Sequence, residues 1–322
     1  MKNHLIRRAA ILCGALFVTT LAQSQGWPTK PIKFVVPFTA GGANDLMARA
    51  AAEGAAKALG QAVVIDNKPG AGGSLGADFV AKSAPDGYTF LISAAGVISN
   101  HMIKKSMPFK ESDLVPVALI GLAPSIIVAP PNATYNNLRE FVEASKLAPG
   151  GFDFATAGTG STPHFVAEVL KSKYGAKLQV VPYKSGNESA TAIMGGQVQA
   201  TSEASIISLP KIQGGKMKAL ANTWTSRISS YPQLTTTSEQ GFPEVKIAHW
   251  AGVHAPAGVP ADVMDKVAAA VDAAMKTPEI ANRLKAAGIE PMGGTRAAFV
   301  QFVAEEKGRL AVIVKASGMK EE

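Results

Sequence analysis

The sequence predicts an α/β protein of two lobes, each with a mainly parallel central sheet, and three observations predict it. Segments rich in β-branched and apolar residues alternate with segments whose apolar positions recur at helical spacing, the signature of β-α-β units. One arrangement of strand, glycine turn and helix start occurs twice: residues 32–38 run into Thr39-Ala40-Gly41-Gly42-Ala43-Asn44-Asp45, and residues 152–156 run into Ala157-Gly158-Thr159-Gly160-Ser161-Thr162-Pro163. The chain of 322 residues, 47% of them apolar, is long enough to fill two ordinary cores.

In chain order, Lys2, Arg7 and Arg8 precede an apolar run over residues 9–22 that ends in small residues at Ala22 and Ser24. This is the layout of a secretory signal peptide over residues 1–24, too short to span a bilayer comfortably. The residues after Arg7-Arg8 fit general secretion better than twin-arginine export. The single cysteine, Cys13, lies inside this leader and follows Leu12, where a lipidation site would need Gly or Ala. The mature chain therefore has no thiol, which excludes disulfides, a thiolate nucleophile and cysteine metal ligands.

The first lobe opens with the strand at 32–38, a helix over 45–59 that stops near Gly60, a strand at 62–65 and the turn Asn67-Lys68-Pro69-Gly70. A helix over 74–82, the turn Ala84-Pro85-Asp86-Gly87 and a strand over 88–93 continue the alternation. The run 117–130, almost all apolar and broken by Gly121 and Pro124, reads as a strand that leaves one lobe and enters the other. The second lobe then takes a helix over 138–147, the second glycine turn, a helix over 163–174, a strand at 178–182, a helix at 189–194 and strands at 198–202 and 217–223. A return crossing falls near 250–255, and tail helices over 261–276, 278–287 and 297–316 are expected to pack back on the first lobe. Lobe one is thus 27–124 plus 250–322, and lobe two 125–249.

The net charge of +8 falls to +5 once the three leader cations are removed. Lysines and arginines stand singly rather than clustered with aromatics, so the footprint of a nucleic-acid binder is missing. The chemistry points instead to an anion. The first N–H groups of a helix lack intrahelical partners and carry the positive end of its dipole, so each glycine turn is an anion site. Two of them suggest two lobes gripping one acidic ligand through the backbone of Thr39–Asn44 and its counterpart, with Phe38 and Trp250 placed to flank a small solute. Asp45 beside the first turn reads as a cap for backbone donors.

Other motifs take plainer readings. Pro69-Gly70-Ala71-Gly72-Gly73-Ser74-Leu75-Gly76 lacks a glycine at Leu75 for a dinucleotide fingerprint and has no Walker pair, so it reads as a tight turn and helix start at the cleft mouth. Ser161, His164 and Glu168 invite a hydrolase reading, but Thr162-Pro163 looks like a helix cap followed by proline at the first helical position, and capping with ligand contact suits Ser161 better. His101, His164, His249 and His254 show no metal-ligand spacing, so neither metal nor cofactor is expected.

The motifs Trp27-Pro28-x-Lys30-Pro31-Ile32, Val36-Pro37-Phe38-x-x-Gly41-Gly42-x-x-Asp45, Asn67-Lys68-Pro69-Gly70-Ala71-Gly72-Gly73 and Pro85-Asp86-Gly87-Tyr88 are followed in order by four more. These are Gly158-x-Gly160-Ser161-x-x-His164, Val181-Pro182-Tyr183-Lys184, Gly195-Gly196-Gln197-Val198 and Ala255-Pro256-Ala257-Gly258. Together, from Trp27 to about Gly318, they resemble the Bug or TctC family, the extracytoplasmic solute receptors of tripartite tricarboxylate transporters. The resemblance implies a monomeric type II periplasmic binding protein, a Venus flytrap and not an enzyme, that passes a small organic acid to a large and a small membrane subunit or signals to a sensor kinase. It implies a carboxylate grip from Phe38, Thr39, Ala40, Gly41, Gly42, Ala43, Asn44 and Asp45, and a floor at Ala94 and Ala95. The opposite lobe would supply Gly158, Thr159, Gly160, Ser161 and His164, with Tyr183 and Lys184 nearby. Glu203 stands where many relatives carry Asp, and Gln199 replaces another acid, so a dicarboxylate or aromatic carboxylate is the first choice and an amino acid held through Glu203 the second.

Overall fold

The computed structural model describes residues 26–320; the expected leader, residues 1–24, lies outside them. Strand β1 (Ile32–Val36) buries Ile32, Phe34, Val35 and Val36 completely. It is followed by helix α1 (Ala43–Leu59), β2 (Val63–Asn67), α2 (Ser74–Ala81), β3 (Thr89–Ser93), α3 (Ala95–Ile103) and the long strand β4 (Leu114–Ala129). Then come α4 (Leu138–Leu147), β5 (Phe152–Thr156), α5 (Thr162–Tyr174), β6 (Leu178–Pro182), α6 (Gly186–Met194), β7 (Ala200–Ala204), α7 (Ser205–Gln213) and β8 (Lys218–Asn222). The chain returns through β9 (Ala248–Pro256) and closes with α8 (Ala261–Lys276), α9 (Pro278–Ala286), the short β10 (Glu290–Pro291) and α10 (Arg296–Ser317).

The strands run in the order β2-β1-β3-β9-β4-β7-β5-β6, with β8 and β10 paired to β4. The α/β class is as expected, and the sheet is divided in a regular way. β2, β1 and β3 are parallel, β6, β5 and β7 are parallel, and β4 and β9 enter antiparallel between the two sets. β4 joins them. From Leu114 to Pro124 it pairs with β9, and from Ser125 onward with β7 and β8. A near-continuous apolar run suits this strand because it is buried along almost its whole length.

Two helices have no counterpart among the expected elements. α3 carries Val97, Ile98, Ile103 and Gly96, and α7 contains Pro210 in its interior, so local propensity disfavours both; the packing of Ile98 and Leu209 into the core outweighs it. β7 also runs two residues further than expected, to Ala204, which brings Glu203 into the strand. Of the tail helices, α8 packs on α1, whereas α10 spans the join. Its Phe299 lies edge-on to Trp250 and His254, and Leu310 and Ile313 share a core with Phe165, Val166 and Leu170 of α5.

Candidate functional site

Six parallel strands, β1, β2, β3, β5, β6 and β7, are each followed by a helix, and the first turns of those six helices line one cavity of about 330 Å³. α1 contributes Gly42, Ala43 and Asn44; the turn before α2 contributes Gly70–Gly73; α3 contributes Ala94, Ala95 and Gly96. From the other side come Ser161, Thr162 and Pro163 of α5, Ser185, Gly186 and Asn187 of α6, and Ala204 and Ile207 of α7. This is the crevice outside the carboxyl ends of the strands, where open α/β sheets bind ligands. Every helix presents its positive end to the same space.

The first glycine loop is held by a charged hub. Asp45, 1% exposed, accepts from Gly41 N–H at 2.9 Å, from Arg49 Nε at 2.9 Å and Nη2 at 3.1 Å, and from Asn67 Nδ2 at 3.0 Å. Burial alone would raise its pKa, but the bonds from Arg49, Gly41 and Asn67 outweigh burial and hold it below the ordinary carboxylate value. Asn67 also donates to Phe38 O, and Asn44 Nδ2 donates to Trp250 O at 2.9 Å. Gly41 has φ +82, a conformation few residues other than glycine adopt. The backbone N–H of Gly41 is therefore consumed inside the loop, a correction to the expectation that all of Thr39–Asn44 face the ligand. Among the described residues the N–H groups of Gly42, Ala43 and Asn44 have no partner in the protein.

Neutral groups hold the second loop. Ser161 occupies the N-cap position of α5, yet its hydroxyl donates to Gly158 O at 2.6 Å instead of accepting from the helix. The cap thus lies one residue before the expected Thr162-Pro163 pair. Gly160 N–H donates to His164 Nδ1 at 3.2 Å, which leaves the ring proton on Nε2. Burial pushes the His164 pKa down; Glu168 opposes and Lys171 adds to the shift. Ser161 Oγ and His164 Nδ1 are both committed to backbone, so no Ser–His bond of the hydrolase type forms. Ser99 Oγ of α3 reaches across and donates to Gly160 O at 3.3 Å, tying the two halves together.

Of the expected site residues, Phe38, Thr39, Gly42, Ala43, Asn44, Ala94, Ala95, Thr159, Gly160, Ser161, Lys184 and Glu203 line the cavity. Ala40, Gly41, Asp45, Gly158, His164 and Tyr183 do not. Asp45 and His164 stand behind the loops, and Tyr183 packs against the Ile193 and Val198 core while its N–H bonds Thr156 O. Trp250 is 1% exposed and packs in the core. His254 is buried beside Ser93. The cavity also takes in Asn100, Ser185, Gly186, Asn187, Ile207 and His249, which the sequence motifs did not mark. Asn100 and Ile207 belong to the two unforeseen helices. His249 Nε2 is buried without a partner, and burial pushes its pKa down to about 4.

Among the described residues no group of three His, Cys, Asp or Glu could hold a metal ion, and no helix is long and apolar enough to cross a membrane. Fold and cavity together define a periplasmic binding-protein architecture. The chain belongs to the family described as tripartite tricarboxylate transporter family receptors, which it matches over residues 47–319. It is 33% identical to the protein BugT of Bordetella pertussis, covering 91% of both chains. An R. palustris protein solved with adipate superposes with a TM-score of 0.85 at 29% identity, covering 91% of this chain and 99% of that one. MatC from Rhodopseudomonas palustris with bound malate gives 0.81 at 28% identity, covering 89% and 100%.

Proposed function

We propose that this protein is exported to the periplasm, captures a small organic carboxylate between its two lobes and delivers it to a membrane transporter of the tripartite tricarboxylate type. The observation that carries this reading is the convergence of six helix N-terminal regions on one cavity, with backbone N–H groups at Gly42–Asn44 that have no protein partner among the described residues. Such a site favours an anion without a neutralising side chain. Its volume of about 330 Å³ is at the small end of the ~300–1,000 Å³ typical of small-molecule sites, which suits a short acid. The likeness to receptors holding adipate and malate supports a dicarboxylate first, with tricarboxylates and aromatic acids as further candidates.

In this reading Phe38 supplies an apolar wall, the amides of Gly42–Asn44 hold one carboxylate, Ala94 and Ala95 form the floor, and Thr159–Ser161 with Lys184 approach from lobe two. Asp45 and His164 position these loops rather than touch the ligand. Lobe one comprises 27–124 and 250–322, lobe two 125–249, and closure bends the β4 and β9 crossings. A thermal-shift screen of mono-, di-, tri- and aromatic carboxylates on the mature protein tests it. At least one acid should raise the melting temperature in a saturable way while neutral isosteres leave it unchanged, and a flat response to all acids would refute the reading.

A further inference from the structure

Among the described residues, one acid, Glu203, lies in the lining of this cavity. Glu203, 2% exposed, projects from β7 into the lining, where its Oε1 accepts one bond, from Thr201 Oγ1 at 3.3 Å. Room for it exists because residue 186 is glycine: a side-chain carbon there would stand 2.2 Å from Glu203 Oε2. Among the described residues no ion pair to it forms. The charge of Lys211 on α7 acts on it, but the Lys211 ammonium donates to Ile207 O. The other ionisable groups in the same lining are Lys184 ahead of α6 and His249 on β9, with Glu188 in the first turn of α6. Glu188 is engaged with the backbone N–H of Lys184. An unpaired buried carboxylate is costly, so burial shifts the carboxyl toward the neutral acid, which is a donor. In keeping with this, burial raises its pKa to about 7, against weaker opposition from Thr201, Ser189 and Lys211.

Resting on the carboxylate reading of the cavity, we infer that neutral Glu203 donates its O–H to a second carboxylate of the ligand, so that the receptor selects dicarboxylates and takes up a proton from solvent when it binds them. The backbone amides hold one end of the ligand and Glu203 the other. A protonated acid facing a carboxylate makes a short, strong O–H···O⁻ bond, whereas an ionised Glu203 would repel the same ligand. Both carboxyls of a simple dicarboxylate, with pKa values of roughly 4 to 5, are already ionised at neutral pH. His249, with its pKa pushed down to about 4, is neutral there too. Glu203 is then the lining group that titrates between pH 6 and 8.

The test is calorimetric titration of the mature protein with adipate, malate and hexanoate at pH 6, 7 and 8, in two buffers of different ionisation enthalpy, for the native chain and for Glu203→Gln. The expected result is proton uptake with adipate or malate, and an affinity that falls about fivefold from pH 7 to pH 8. Hexanoate, lacking the second carboxyl, should show neither. Glu203→Gln should bind the dicarboxylate a few-fold more weakly at pH 6, with no further change to pH 8 and no proton uptake. Dicarboxylate binding that is flat from pH 6 to 8 overturns this inference alone. Preferential binding of ammonium-bearing acids that Glu203→Gln abolishes also overturns it, because Glu203 would then act as an ionised partner. Failure of every carboxylate to bind overturns the carboxylate reading together with the inference.

Discussion

The two glycine loops share a plan, yet they are secured by different chemistry. In the first, a buried carboxylate gathers Gly41, Arg49 and Asn67 within one lobe, so the loop is fixed whatever the other lobe does. In the second, a hydroxyl and a neutral imidazole do the holding, and one bond to the loop comes from Ser99 of the opposite lobe. Pro163 also removes one of the N–H groups that α5 could offer. In the proposed reading the first loop is a preformed anion seat and the second is completed by closure. The asymmetry would then give the ligand somewhere to land before the lobes meet.

The largest test of the contrast is Asp45→Ala. It strands the Arg49 guanidinium and two donors, and because Arg49 is half exposed the loss should lie near the lower end for a broken buried pair, about 3 kcal/mol by urea unfolding. Ligand affinity should fall roughly 30-fold, as for about 2 kcal/mol of lost loop order. Full affinity in this variant would refute the view that the hub preforms the seat.

Acid should separate the loops next. His164 has its pKa lowered by burial, so its contribution is present above about 6.5 and is lost as pH falls through the folded value, when Nδ1 protonates and can no longer accept from Gly160. Asp45 is also lowered, so the first loop persists until pH falls below the ordinary Asp range. Affinity for a monocarboxylate such as hexanoate, which does not engage Glu203, should weaken severalfold as pH falls below about 6.5, about 1 kcal/mol for the single bond. His164→Asn should remove that slope while leaving the stability of the first lobe intact; an unchanged slope would place the acid sensitivity elsewhere.

The smallest effect is expected from Ser99→Ala, which deletes the 3.3 Å bond between lobes. Affinity should drop about threefold, well under 1 kcal/mol, with no change in melting temperature, and small-angle scattering should report a more open average shape. A fall in melting temperature as large as that of Asp45→Ala would mean that the bond supports the fold rather than closure.

Much of this design is legible in the residues. Strand runs such as residues 32–36 and 152–156, followed by glycine and then helical spacing, announce both glycine loops, and the apolar run broken at Pro124 marks the long shared strand. What escaped notice depends on tertiary context. The helices at Ala95–Ile103 and Ser205–Gln213 contradict local propensity, and with them went Asn100 and Ile207. The supporting roles of Asp45 and His164 depend on where their side chains turn, which spacing alone does not reveal. His249 carried no signal, being one histidine among apolar neighbours.

If the acid is met mainly by the main chain of the converging helix ends, as proposed, the chemistry of capture does not depend on the identity of any one contacting side chain. Preference for one metabolite over another is left to the few groups that stand among those helix ends, such as Glu203 and Lys184. On this proposal the fold separates a generic appetite for acids from a small, replaceable set of selectors, so a change of cargo would need few substitutions and leave the framework untouched.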